Sequence, residues 1–319
     1  VTINNNSANI NVGDTSFGFV LLGTGTNNYI SSSNSIFNMG TGSVYIYKEG
    51  AGTVDTYTTV KSLGSQNAAI YATGSGTTIN NYGNINFTSG VGNVGVYSDN
   101  GAMANNYGNI TVAGSDVDND LYSIGMATIG GTIKNYNTIN VTGDYGLGMF
   151  AQGVGSYAEN NGTINITGSA KNGYGMYLDA GAKGVNNGII RANGTGSEAI
   201  GIAVLDGSEF TNNGIVDINL ANSTGVYVRN AIIKNYGTIN IAGTGSVGVK
   251  SRSGIYEDPS GNQSAISASN LTGVNASGGA LDLTIESAFD PSASKGRTAI
   301  LPDGTTGTIK AYINGEEVK

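Results

Sequence analysis

The sequence contains no cysteine, no histidine and no tryptophan in 319 residues, and only three prolines. Without cysteine, the chain forms no disulfide and offers no thiolate to a zinc ion. Without histidine, it lacks the commonest general base, the Ser-His-Asp arrangement and the usual transition-metal ligand. The sequence therefore favours a protein without enzymatic activity, and no cofactor is expected.

Charge is also scarce, since charged residues make up only 11% of the chain and the formal net charge is −8. Lysine and arginine never gather into a run, so nucleic acid is not expected as a partner. The chain has no long apolar stretch of the kind that spans a membrane, so direct membrane insertion is not expected. We expect a mature or trimmed chain, because the residues from Val1 onward do not have the pattern of a signal peptide.

Glycine is abundant, with 52 residues, and an internal repeat accounts for it. Residues 234–241 show the pattern most clearly, as Lys-Asn-Tyr-Gly-Thr-Ile-Asn-Ile. Copies follow one another at steps of 25, 29, 25, 26, 26 and 23 residues, and a period of this length is typical of a solenoid. The leading asparagines are Asn81, Asn106, Asn135, Asn160, Asn186, Asn212 and Asn235.

Two apolar positions enclose one polar position in each copy, four to six residues after the asparagine, as Ile85 and Phe87 enclose Asn86. Side chains alternate sides along a strand, so this pattern predicts a strand with one buried face and excludes a helix. The first apolar position should form one interior column, in Ile85, Ile110, Ile139 and Ile164.

A glycine returns 13 to 19 residues after each asparagine and is always followed by an aliphatic residue. The residue before it is usually apolar too, so we predict a second strand in which both neighbours of the glycine point inward, as at Val94 and Val96. A third strand is predicted in the lead-in, at Thr132, Ile133 and Lys134. The glycines are Gly95, Gly125, Gly148, Gly175, Gly201, Gly225 and Gly248.

These strands predict an all-β fold, a parallel β-helix of about ten three-sided coils over residues 1–254 whose first coils are degenerate. Coils stacked about 4.8 Å apart would bury an apolar column that no single coil buries alone. After residue 254 the repeat fades, and residues 255–319 are predicted to form irregular coils or a cap over the open end. The polar insert at residues 115–120 is predicted to be extruded at a corner.

The asparagine column is interpreted as structural, for two reasons. Tight corners need backbone angles that glycine reaches freely and asparagine tolerates. Asparagines at the same place on successive coils can also hydrogen-bond amide to amide along the stack. The tyrosines that follow several of these asparagines are predicted to be exposed and receive no role: Tyr82, Tyr107, Tyr136 and Tyr236.

The candidate binding residues are aromatic and lie two positions after the glycine. Alternation along the strand places them on the outer surface, where aromatics on neighbouring coils can stack on sugar rings or form a protein-contact patch. The alternative is that they only shield the stack, because isolated surface aromatics are ordinary. The candidates are Tyr97, Phe150, Tyr177 and Tyr227.

Two groups of acidic residues are candidates for an enzyme site or a metal site. A polysaccharide-degrading enzyme needs paired carboxylates, but Asp99 and Asp179 stand three coils apart, about 14 Å at strand spacing. Asp116, Asp118 and Asp120 are similar to the opening of a calcium loop, but the required glycine and the bidentate glutamate are missing. A solvated loop is favoured there over a metal site.

The repeat Asn-Tyr-Gly-Thr-Ile-Asn-Ile, followed by Val247-Gly248-Val249 or Tyr174-Gly175-Met176-Tyr177, resembles the passenger repeats of large fusobacterial autotransporter adhesins such as RadD. The resemblance covers about residues 53–254. It implies a right-handed parallel β-helix displayed outside the cell, anchored in the outer membrane through a barrel domain that is not part of this chain. It also implies an adhesin whose partners are host or bacterial surface proteins or glycans.

Three functions stay open on the residues alone. The favoured one is a binding protein whose rigid β-helix presents an adhesive surface. The second is a carbohydrate-active enzyme with a β-helix fold. The third is an extracellular filament subunit whose open ends stack head to tail.

Overall fold

The computed structural model describes residues 2–5, 7–24, 28–31 and 34–266, together with four short strands beyond them. The chain winds as one parallel β-solenoid of about ten coils with three long sheets, which confirms the predicted fold class. From residue 36 to residue 257, each coil supplies a strand to sheet 1, then to sheet 2, then to sheet 3. The 3₁₀ turn Val117–Asn119 is the one helical element of the described residues.

Sheet 1 carries the alternating apolar strand of each repeat. Its strands pair in parallel, so that Ile85 lies opposite Ile110 and Ile110 opposite Ile139. Ile164 continues the column, and all four side chains are fully buried, which confirms the predicted interior column. The strands are Asn9–Val12, Ile36–Met39, Thr59–Ser62, Ile85–Phe87, Ile110–Val112, Thr138–Val141, Thr163–Ile166, Ile189–Ala192, Ile215–Ile218, Thr238–Ile241 and Val274–Ala276.

Sheet 2 carries the glycine column. A Cβ added to Gly95 would meet Cγ2 of Ile110 at 3.0 Å, so this position faces the interior. Val96 is also buried, whereas Val94 is half-buried. The prediction that both neighbours of the glycine point inward is therefore confirmed for the following residue and wrong for the preceding one at Val94, because the glycine itself takes the second inward position. The strands are Phe17–Leu21, Val44–Glu49, Ala68–Thr73, Val94–Asp99, Ile124–Ile129, Leu147–Gln152, Tyr174–Asp179, Ile200–Leu205, Thr224–Arg229 and Val247–Arg252.

Sheet 3 contains the lead-in strand of each repeat. The third strand predicted at Thr132, Ile133 and Lys134 is confirmed as the strand Thr132–Asn135. At the C-terminal end, Gln263–Ala265 pairs antiparallel with Ile255–Glu257 and so occupies the edge of the sheet. The parallel strands are Gly52–Thr56, Thr77–Asn81, Met103–Asn106, Thr132–Asn135, Tyr157–Asn160, Lys183–Asn186, Glu209–Asn212, Ile232–Asn235 and Ile255–Glu257.

Two smaller sheets lie at the ends of the chain. Thr2–Asn5 pairs in parallel with Asn28–Ser31, and Ile309–Ile313 pairs with Leu283–Ile285 and Glu316–Val318. Parallel pairing with the solenoid continues past residue 254, because strands at 255–257 and 274–276 extend sheets 3 and 1. The domain division at residue 254 stays a prediction, and most of the predicted cap lies outside the described residues.

The asparagine column forms a hydrogen-bonded ladder through the interior. From Asn81 to Asn235, each Nδ2 donates to Oδ1 of the asparagine one coil on, at 2.8–2.9 Å. Nδ2 also donates to the backbone two residues on, as from Asn106 to the carbonyl of Gly108 at 2.7 Å. The structural interpretation is confirmed through amide pairing. The prediction that these asparagines adopt left-handed backbone angles at the corners is wrong, because none of them has a positive φ.

Candidate functional site

The outward faces of the three sheets differ in chemistry. Sheet 1 presents polar side chains, such as Asn165, whose Nδ2 donates to Oδ1 of Asn140 at 3.0 Å. Sheet 3 presents ion pairs between coils, such as Lys134 with Glu159 at 2.9 Å. Sheet 2 instead presents aromatic rings, so its outer surface is the candidate binding face.

The outward positions two residues after the glycine of sheet 2 form one line, which we call the aromatic row. The four candidates Tyr97, Phe150, Tyr177 and Tyr227 all lie in it and are half-buried, so their outward placement is confirmed. Whether they bind a partner stays a prediction. The rings of Phe150 and Tyr177 stack at 5.7 Å. In chain order the row reads Val20, Tyr47, Tyr71, Tyr97, Ala127, Phe150, Tyr177, Ala203, Tyr227 and Lys250.

The row extends further towards the N-terminus than the sequence indicates. Tyr47 and Tyr71 meet edge to face with ring centroids 5.2 Å apart, and Tyr71 and Tyr97 do so at 4.9 Å. Sequence reasoning missed the first two tyrosines because Tyr45 and Ala69 replace the glycine in those coils. The repeated pair of isoleucine and tyrosine at 46–47 and 70–71 was the signal that would have revealed them.

Carboxylates lie beside the N-terminal half of the row. The Tyr71 hydroxyl donates to Oδ2 of Asp99 at 2.9 Å, and the Tyr47 hydroxyl donates to Oε2 of Glu49 at 3.0 Å. Asp99 is only 9% exposed, and its Oδ1 has no hydrogen-bond partner among the described residues. Burial, and then the hydrogen bond to Asp99, raises the pKa of the Tyr71 phenol well above its ordinary value. These tyrosines therefore stay neutral and donate to the acids.

Glu49 and Asp99 belong to a flanking column, the positions two residues after each member of the aromatic row, in which neighbours are one coil apart. Asp99 and Asp179 stand three coils apart, as the sequence predicts. Glu49, which sequence reasoning missed, stands two coils before Asp99 with Thr73 between them. Two coils at strand spacing correspond to about 9.6 Å. This pair is the closest approach of two carboxylates in the column.

The aspartate insert forms a compact loop at a corner. Asp116 closes the loop in an antiparallel bridge around the turn Val117–Asn119, and its Oδ2 accepts from Nδ2 of Asn119 at 2.8 Å. Strands on both sides keep their register, so the insert is extruded as predicted. In the part of the chain that the structure describes, no three metal-ligating side chains are grouped around a metal position, and Asp116, Asp118 and Asp120 are no exception.

Burial, and then the charge of Asp179, raises the pKa of Tyr177 from 10.0 to about 12. The folded protein therefore keeps this proton above pH 10, where an unfolded tyrosine loses it. The contribution of the Tyr177 phenol to the free energy of unfolding is fully present below pH 10 and should be lost as the pH rises from 10 to 12. Urea midpoints at pH 9 and pH 11 should differ less in Tyr177→Phe than in the unaltered protein. An equal difference in both proteins would contradict the assignment.

A parallel solenoid with three sheets and a repeat of about 25 residues places the protein in the class of parallel β-helix repeat proteins. The family model described as BigA third pectate lyase-like domain matches residues 1–188, and the chain belongs to this family. Membership suggests a passenger repeat of a surface-exposed bacterial protein. Comparison with curated proteins and with solved structures finds no match. Within the described residues, no helix has the length and apolar character needed to cross a membrane.

Proposed function

We propose that this chain is an adhesive domain of a bacterial surface protein, and that it binds host or bacterial surface proteins or glycans through the aromatic row. The observation that carries the proposal is the contrast between the outer faces of the described coils, where sheet 2 concentrates aromatic rings and sheets 1 and 3 carry amides and ion pairs. Aromatic side chains are enriched in protein interfaces and combine an apolar body with a polar handle. The proposal includes kinship with RadD-like passengers, which the repeat pattern supports.

The charge beside the row changes sign along its length. The flanking column carries Glu49 and Asp99 near the N-terminal tyrosines, and it ends in Arg229 and Arg252. Arg229 is partly neutralised, because it pairs with Asp206 across coils at 2.5 Å. Complementary charges steer and orient partners more than they add affinity. We therefore propose that the partner lies along the row in one preferred direction.

The double variant Phe150→Ser with Tyr177→Ser tests this proposal. Both rings belong to one stacked pair, and removing central aromatic contacts should weaken binding at least about tenfold. Binding would be measured on a glycan array and on cultured epithelial cells. The matched control is Tyr82→Ser with Tyr107→Ser, which removes two exposed rings from a corner outside the row. Unaltered binding in the first variant, or an equal loss in both, would refute the role of the row.

We further propose that binding occurs without turnover. One observation supports a second candidate function, a glycoside hydrolase. Glu49 and Asp99 are about 9.6 Å apart at strand spacing, close to the separation of about 6.5–9.5 Å in inverting glycosidases. Any glycan bound on the array would be incubated with the protein and assayed for new reducing ends. Intact glycan supports a binding protein, whereas cleavage that is lost in Glu49→Gln would establish a hydrolase.

A further inference from the structure

Four tyrosines stack along the corner between sheets 3 and 1, and we call them the tyrosine ladder: Tyr57, Tyr82, Tyr107 and Tyr136. Successive ring centroids are 4.8, 4.9 and 4.8 Å apart, and the ring planes differ by 10°, 10° and 7°. Each of these tyrosine residues is 37–41% exposed. The stack arises because equivalent positions on successive coils superpose at the strand spacing of about 4.8 Å. Solvent therefore reaches a continuous line of parallel phenols.

The tyrosine ladder differs from the aromatic row in geometry. In the row, Tyr71 and Tyr97 meet at 90°, and the Tyr71 hydroxyl is held by Asp99. In the ladder, each ring lies nearly parallel to its neighbour with centroids 4.8–4.9 Å apart, so equivalent ring carbons of successive coils are separated by about the coil spacing. Among the described residues, the ladder therefore presents parallel phenol rings on successive coils, an arrangement suited to direct coupling between them.

The chain offers few other groups that give up an electron. It has no cysteine and no tryptophan, whereas it has 18 tyrosines. Four of its five methionines are fully buried, namely Met39, Met126, Met149 and Met176. The fifth, Met103, is 36% exposed, so an oxidant that reaches the described surface meets one methionine and otherwise tyrosines. The tyrosine ladder brings four exposed tyrosines together.

We propose that the tyrosine ladder is a site of oxidative cross-linking that joins successive coils covalently. A peroxidase using hydrogen peroxide removes one electron and the phenolic proton from each of two neighbouring rings. The two phenoxyl radicals form a carbon–carbon bond between ortho carbons, and the hydrogen on each of these carbons moves to the phenolic oxygen. Two tyrosines and one hydrogen peroxide thus give one dityrosine and two water molecules.

The cross-link would close a loop of one solenoid coil. Closing a loop removes conformational freedom from the unfolded chain, by the same argument that applies to a disulfide. A chain without cysteine would in this way gain a covalent connection between coils. The oxidised protein should therefore unfold at a higher denaturant concentration than the untreated protein.

The test treats dilute purified protein with a peroxidase and hydrogen peroxide, and follows dityrosine fluorescence and migration on a denaturing gel. The product should migrate as a monomer and lose two hydrogen atoms per cross-link. Cleavage before aspartate separates Tyr82 from Tyr107 at Asp99, and Tyr107 from Tyr136 at Asp116. Mass spectrometry should find the fragment that contains Tyr107 joined to one of its two neighbours.

Paired variants decide whether the ladder is responsible. Tyr82→Phe with Tyr107→Phe keeps the rings but removes two phenols, and intramolecular dityrosine should fall at least several-fold. Tyr71→Phe with Tyr97→Phe removes the same number of phenols from the row, and the yield should not change. Equal yields in the two variants, cross-links chiefly between molecules, or joined fragments that omit Tyr107 would each overturn the proposal.

Discussion

Replacing Asn186 by leucine is expected to lower the free energy of unfolding by about 2–5 kcal/mol, because buried polar groups would lose their partners. The Asn186 side chain accepts from Nδ2 of Asn160 and donates to Oδ1 of Asn212, both at 2.8 Å. Leucine has a similar size, but it cannot make these hydrogen bonds and so interrupts the asparagine ladder on both sides. The carbonyl of Gly188 also loses a donor. Denaturant unfolding followed by circular dichroism measures the change.

The neighbouring residue provides a matched control. Asn187 is exposed and belongs to a second amide chain, in which it accepts from Asn213 at 2.8 Å and donates to Asn161 at 2.9 Å. Water can replace these hydrogen bonds, so Asn187→Leu should change stability by no more than about 0.5 kcal/mol. If Asn186→Leu and Asn187→Leu lowered the free energy of unfolding by similar amounts, burial would not be the reason that the asparagine ladder stabilises the fold.

Replacing Gly214 by alanine is expected to cost about 3 kcal/mol, because the added methyl group has no space. Its Cβ would overlap the carbonyl oxygen of Gly188 and lie 2.9 Å from the carbonyl carbon of Asn187. Both contacts are with backbone, which cannot rotate away as a side chain does. Relief would require the coils to separate, at the expense of the hydrogen bond from the Ile215 amide to the Gly188 carbonyl at 2.9 Å.

Gly13→Ala is the control for this effect, because a Cβ on Gly13 meets nothing within 4 Å and its φ is not positive. Thermal and denaturant midpoints of Gly13→Ala should match those of the unaltered protein, while those of Gly214→Ala fall. Asn137 occupies the same column in one coil, where its Nδ2 donates to the carbonyl of Tyr107 at 2.8 Å. A wild-type midpoint in Gly214→Ala would show that the coils separate at little cost.

Much of the candidate site followed from the periodic part of the chain. Once Gly95 and its equivalents set the register, alternation placed Tyr97, Phe150, Tyr177 and Tyr227 on one outer face, where the structure has them. In the two coils where another residue replaces the glycine, the sequence pattern did not identify Tyr47 and Tyr71 as members of the row. Alternation is a property of the local backbone, so it could not supply a register that depends on pairing between coils.

The amino-acid sequence was sufficient for the repeat length, the all-β class and the interior column from Ile85 to Ile164, because these depend on which residues lie a fixed distance apart in the chain. Tertiary structure alone decided the inward placement of Gly95, the alignment of Glu49 with Asp99 two coils apart and the parallel stacking of Tyr82 on Tyr107. Each of these depends on how one coil lies upon the next. That relation is set by corner geometry and by contacts between residues about one repeat apart, which local pattern does not specify.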